Sequence, residues 1–240
     1  MVSDPRTRPA VEPPGLGMLS RLARAKSTRR DFLLWSGVAA AAAATGCGKS
    51  NPAKPPEDEG ISLGSGDVAV LNYVYALEQL QAAFYTQVVA APYAGMPADE
   101  LQLMIDIRDH EVIHRQALKA MLGTNAIQDL SITFASVDFT SRASVLGAAS
   151  NIEDIGVSAH GGATPLVTSA SNLQFLSKIA SVEGRHASAL RDLRAPKTEA
   201  FAGDDVVSVY NGLENLRVPS EVLASTNTYI ATRINRGNLP

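Results

Sequence analysis

In the stretch RDHEVIHRQAL, Glu111 stands three residues before His114, and in ASVEGRHASAL Glu183 stands three before His186. Eleven Glu and four His in 240 residues give roughly 0.2 Glu-x-x-His matches by chance, so two of them ask for a cause. On an α-helix, residues three apart lie about 60° apart around the axis and roughly 4.5 Å apart along it. Each pair therefore offers a carboxylate and an imidazole to one point. That donor mixture suits iron or manganese, whereas structural zinc prefers four tetrahedral nitrogen and sulfur ligands.

Two further glutamates extend the pattern. Glu78 precedes Glu111 by 33 residues and Glu153 precedes Glu183 by 30. If each lies midway along one of four helices joined antiparallel in pairs, all four carboxylates come level in the bundle. Four buried carboxylates must protonate or find cations, because like charges at close range in an apolar interior are prohibitive. Two divalent metals meet that need. Asp154 competes with Glu153 for the fourth position, and the echo of the first half selects Glu153.

The elements that must hold these residues are legible as helices. Apolar residues at Leu71, Val74, Leu77, Leu80, Phe84 and Val88 recur at helical spacing and predict a helix over 67–91, stopped by Pro92. A second helix opens at Pro97 and stops at Gly123. A third spans 141–160, ending at Gly161-Gly162, and a fourth starts at Thr164-Pro165 and ends before Pro196. A shorter fifth falls in 221–234. The only β-like alternation, LSITFASVDF at 130–139, lies in the long link between the second and third helices. Short, long and short links between four long helices describe an all-α four-helix bundle with one long crossover, followed by a short C-terminal helical extension.

The order Glu, Glu-x-x-His, Glu, Glu-x-x-His over four helices resembles the ferritin-like di-metal carboxylate superfamily. LEQLQAAFY, HEVIHRQAL, NIEDIGVSAHGGA and ASVEGRHASALRDL are similar to its bacterial ferritin-like and desiccation-related group, over roughly residues 66–195. The resemblance implies a centre of two iron ions, or alternatively two manganese ions. It implies Glu78 and Glu153 as terminal or bridging carboxylates, Glu111 and Glu183 as bridges, and His114 and His186 as nitrogen ligands. It further implies redox chemistry with oxygen or peroxide: ferrous iron oxidation, or peroxide removal as in manganese catalases. The alternative is a non-enzymatic envelope stress protein with a structural metal site or none.

Other residues near the motif admit two readings. His160, seven residues after Glu153, either lines the site or caps a helix end beside Gly161-Gly162, and the cap is favoured. Tyr75 and Tyr85 either serve the ligands or pack the core, and packing is favoured. His110 is assigned to the outer surface. Gly184, inside a Glu-x-x-His, costs about 1 kcal/mol of helix propensity, which a close helix approach would offset.

Residues 1–47 read as an address. Arg29 and Arg30 precede an apolar run over 32–44 that is too short to span a bilayer comfortably. The stretch Thr28-Arg29-Arg30-Asp31-Phe32-Leu33 resembles the twin-arginine export signal, with Met18 as a second start. Ala44-Thr45-Gly46-Cys47 resembles a lipoprotein cleavage box, which implies a lipid anchor at Cys47. The alternative is cleavage in the alanine run, leaving Cys47 unmodified. The polar, Pro-rich residues 48–65 read as a disordered tether, and 196–240 as an extension beyond the bundle. An exported, envelope-located monomer or small homo-oligomer is expected.

Composition narrows the partners. Residues 1–46 hold seven Lys/Arg against three Asp/Glu, leaving fourteen basic and twenty-one acidic residues from Cys47 onward. No basic face is evident, which argues against nucleic acid. With one cysteine there is no intrachain disulfide and no multi-cysteine metal site.

Overall fold

The computed structural model describes residues 60–240. The signal with Arg29 and Arg30, the candidate lipidation site Cys47 and the tether up to residue 59 lie outside the described residues. Four long helices dominate: α1 (Gly66–Ala90), α2 (Ala98–Leu122), α3 (Arg142–Ala163) and α4 (Ala170–Arg194). A short α5 (Pro219–Thr226) follows, and two-residue strands β1 (Ile61–Ser62) and β2 (Ile234–Asn235) pair in parallel. Residues 61 and 62 are thus part of the folded body rather than the tether, because Ile61 N–H donates to Arg233 O and Leu63 N–H to Asn235 O.

The helix ends are pinned in pairs. Asp67 at the start of α1 accepts from Thr168 N–H, Thr168 Oγ1, Ser169 N–H and Asn172 Nδ2 at the start of α4. The backbone donors of Thr168 and Ser169 lead in holding its carboxyl far below the ordinary range. At the opposite end the buried Glu100 of α2 takes a two-donor grip from Arg142 of α3, at 3.0 and 2.8 Å. These ties make α1 parallel to α4 and α2 parallel to α3. The link from α2 to α3 must therefore run the length of the bundle.

That crossover is not a strand. Within 130–139 only Ile132 forms a bridge, to Ile230. Its alternating apolar residues Ile132, Phe134, Val137 and Phe139 pack half-buried against the core. The crossover also covers α1, whose Asn72 side chain holds Asn125 O and Ile127 N–H while Gln79 accepts from Leu130 N–H. Covered on this side as well, α1 is buried without a break from Ala69 to Ala82.

Two helix boundaries differ from expectation. Gly161-Gly162 does not end α3, which continues to Ala163. A Cβ on Gly162 would lie 1.9 Å from Arg217 O, and one on Gly161 2.3 Å from Leu216 Cδ2. The glycines admit the C-terminal segment instead, where Arg217 N–H donates to Ser158 O. Thr164-Pro165 forms a 3-10 turn, and α4 begins at Ala170, capped by the Ser169 hydroxyl accepting from Asn172 N–H. The fifth helix is cut to eight residues, after which the chain turns back to pair β2 with β1.

The core comes in two apolar layers. One gathers Leu71, Leu77, Leu118, Ile155 and Ile179 around one half of the bundle, and the other Leu80, Met104, Ile107, Ile152 and Leu190 around the other. Between them every long helix contributes polar residues.

Candidate metal centre

That middle layer contains all six residues singled out by spacing. Glu78, Glu111, Glu153 and Glu183 are each 0 % exposed and His186 is 5 % exposed. His114 is half-buried. Their donor atoms fall into two groups, Glu78, Glu111, His114 and Glu183, and Glu111, Glu153, Glu183 and His186, with the atoms of each group within 4.8 Å of one another. Glu111 and Glu183 belong to both.

The contacts within the groups run from 2.8 to 3.9 Å. His114 Nδ1 lies 3.5 Å from Glu78 Oε2 and 3.2 Å from Glu183 Oε1. His186 Nδ1 lies 2.8 Å from Glu111 Oε1 and 3.6 Å from Glu153 Oε2. Close as they are, these atoms are not aligned as hydrogen bonds. Both oxygens of Glu78 and Glu111, one each of Glu153 and Glu183, and Nδ1 of His114 and His186 are buried with no hydrogen-bond partner. Buried polar atoms are almost always partnered, and so many orphans in one layer, within reach of one another, form groups able to hold a metal ion. Two donors about 2.1 Å from a common ion at right angles stand about 3.0 Å apart, so the spacings fit carboxylate and imidazole donors around divalent metals.

Burial and mutual contact shift the titration of this layer. Burial, with Glu78 and Glu153 adding to it, raises the Glu111 carboxyl to about 8. Burial also lifts Glu183 well above the carboxylate range, with Glu111 next in effect. For His114 burial works downward, but contacts with Glu111, Glu183 and Glu78 outweigh it and raise the imidazole to about 12. His186 rises to about 10, against burial, through Glu111 and Glu153. Glu78 is held at about 2, again against burial, by His114 and His160.

Two residues against the layer, Gln81 and Gly156, were not singled out by the sequence. Gln81 Nε2 donates to Glu183 Oε2 at 2.6 Å and to Glu153 Oε2 at 3.3 Å, bracing both from outside. Gly156 makes room for it, since a Cβ there would lie 2.9 Å from Gln81 Nε2 and 3.1 Å from Glu183 Oε2. Gln81 follows Glu78 by three, the same offset that drew attention to the histidines, so its position carried a signal. Asp154 faces away and pairs with Arg191 at 2.9 Å. Tyr75 and Tyr85 are both fully buried. Burial, with Glu153 next to it, lifts the Tyr85 hydroxyl well above its ordinary range.

The other two histidines also reach the layer, His110 from the surface as expected and His160 from within. His110 is exposed, yet its Nδ1 lies 2.9 Å from His186 Nε2 and the two rings stack at 7°. The contact holds the His186 ring with its Nδ1 turned to the carboxylates, whichever of the two nitrogens donates. His160 is no helix-end cap. It is 1 % exposed, and its Nε2 lies 3.4 Å from Glu78 Oε1.

Two family models match the chain. The ferritin-like domain matches residues 66–196, more than half of the sequence. The chain belongs to the ferritin-like domain family. The twin-arginine translocation pathway signal sequence matches residues 26–46, so this ferritin-like protein carries a signal for export across the cytoplasmic membrane. A search of curated proteins finds no match. In the ferritin-like protein, the buried acidic and histidine residues form a cluster able to hold metal.

Proposed function

We propose that this exported ferritin-like protein holds a dinuclear centre of two iron ions, or alternatively two manganese ions, and protects the cell envelope from oxidative damage. The observation that carries the reading is the pair of donor groups sharing Glu111 and Glu183, with buried atoms that have no hydrogen-bond partner. In this reading Glu78 and His114 bind on one side, Glu153 and His186 on the other, and Glu111 and Glu183 bridge. When bound, a pair of such metals supplies one-electron steps, the chemistry needed to oxidise ferrous iron with oxygen or peroxide or to remove peroxide.

The chain's own residues set the conditions. The apolar layers above and below exclude water from the donors. Gln81 keeps Glu153 and Glu183 oriented, and the His110 contact does the same for His186. Ligation needs ionised carboxylates and neutral imidazoles, whereas burial raises Glu111 and Glu183 and the glutamates raise His114 and His186, so loading the site is expected to release protons. The half-buried His114 edge of the layer is where it comes nearest to solvent.

Metal analysis of protein purified from its native compartment tests the proposal. About two iron or manganese ions per chain are expected. A chelator should lower the melting temperature, because metal bound only by the folded state stabilises it by about 4 kcal/mol at a thousandfold excess over Kd. Identical melting curves with and without chelator, together with no bound metal, would leave the non-enzymatic stress protein as the reading.

A further inference from the structure

His160 is the one histidine in the layer that the six-residue pattern omits. It comes from α3, two turns after Glu153, and is 1 % exposed. Its Nδ1 lies 2.9 Å from Gly156 O. A carbonyl oxygen only accepts, so Nδ1 carries the hydrogen, and the tautomer is fixed by the backbone of the same helix. The other nitrogen, Nε2, is buried without a hydrogen-bond partner and stands 3.4 Å from Glu78 Oε1, itself unpartnered. Face to face in a dry interior, this nitrogen and the carboxylate oxygen need a positive centre between them: a proton on Nε2 in the metal-free protein, or a metal ion in its place.

One imidazole nitrogen donating to a backbone carbonyl while the other is turned to a carboxylate with no hydrogen-bond partner is the arrangement that metal-binding histidines adopt. The 3.4 Å separation is also close to that of neighbouring donors on one ion. The other oxygen of Glu78 lies 3.5 Å from His114 Nδ1, so the two imidazoles flank one carboxylate.

Resting on the dinuclear reading above, we propose that His160 is a seventh ligand, giving the Glu78 side of the centre two imidazoles and the Glu153 side one. The two positions are then unequal. The Glu78 side, richer in nitrogen, takes the first metal and discriminates more strongly against manganese in favour of the later divalent metals, which imidazole suits better.

Titration of the metal-free mature protein with Mn²⁺ and with Co²⁺, followed by calorimetry, tests this alongside the variants His160→Ala and His160→Gln. The wild type should bind two Co²⁺ per chain in separable steps, the first tighter. Both variants should lose at least tenfold in the tighter step and keep the weaker one, with unchanged helix content by circular dichroism. Glutamine is the deciding variant, since its amide can donate to Glu78 but ligates poorly. If His160→Gln binds both ions like the wild type, His160 only donates a hydrogen bond to Glu78 and the proposal is overturned. Loss of the fold in both variants would also overturn it, as the residue would then be structural. A wild type that binds neither ion defeats the dinuclear reading itself, a result distinct from either.

Discussion

At the scale of single residues, the layer separates atoms that face its centre from atoms that hold them in place. Glu111 and Glu183 belong to both donor groups, so replacing either with Ala should abolish binding at both positions. Such a variant should carry no stoichiometric metal by elemental analysis. His110 touches the centre only through His186. His110→Ala is therefore expected to retain two metals but to weaken the His186 side, by roughly tenfold or more. Loss as complete as in Glu111→Ala would mean that His110 ligates directly. The Glu-x-x-His pairs could be read from sequence because an i,i+3 offset on a helix fixes relative direction whatever the tertiary context. The surface position of His110 is as expected, but its contact with His186 and the buried place of His160 are not legible there, for the same reason in reverse. Their roles depend on a neighbouring ring from α4 and on a carboxylate from α1, and a single helix does not encode either.

At the scale of elements, four long helices and their crossover follow from apolar spacing and helix stops, while the glycines carry less transparent information. Gly161-Gly162 has the composition of a helix stop but is a docking face for Leu216 and Arg217. Only the partner segment reveals this. Gly184 is the opposite case: nothing lies within 4 Å of a Cβ built there, so the close approach expected to explain it is absent. Gly184→Ala should raise stability by about 1 kcal/mol, whereas Gly162→Ala should lower it by about 2–3 kcal/mol through overpacking. Urea unfolding of both variants checks the pair, and a neutral Gly162→Ala would refute the docking argument.

The Asp67 tie between α1 and α4 has a pH signature. Its folded-state carboxyl lies well below the ordinary 3.8. Its contribution is therefore present above that value and lost as pH falls through the folded-state value. Asp67→Asn should be less stable than wild type at neutral pH, and the gap should narrow on acidification below about pH 4. Unfolding midpoints measured between pH 7 and pH 2 follow the difference. A gap constant across that range would show that the ionised form is not what binds the α4 terminus.

At the scale of the whole molecule, the bundle is one body with a wrap. The crossover and residues 196–240 are laid along it, and among the described residues no helix is long and apolar enough to cross a membrane. The lipid anchor proposed at Cys47 lies outside the described residues. Cys47→Ala is expected to move the protein from the membrane fraction to the soluble one, and continued membrane association in that variant would exclude a lipid on Cys47. Light scattering on residues 61–240 should give a monomer or small oligomer, and a particle of about 24 chains would contradict it. The placement of residues 196–240 was the least legible part of the sequence, because it depends on the concave fit of Leu216 and Arg217 and on a two-residue strand pair, neither of which leaves a periodic trace.

That strand pair gives the molecule a mechanical property. Ile61 and Ile234 are register partners, so the chain enters the folded body beside the segment that closes it. A pull on the chain ahead of residue 60 loads this ladder along its axis, in shear, before any helix is reached. Leu63, wholly buried in the core, is the next stop. The donor layer sits halfway along a bundle tied at one end through Asp67 and at the other through Glu100 and Arg142, so tension applied there is expected to load the ladder first and the carboxylates last.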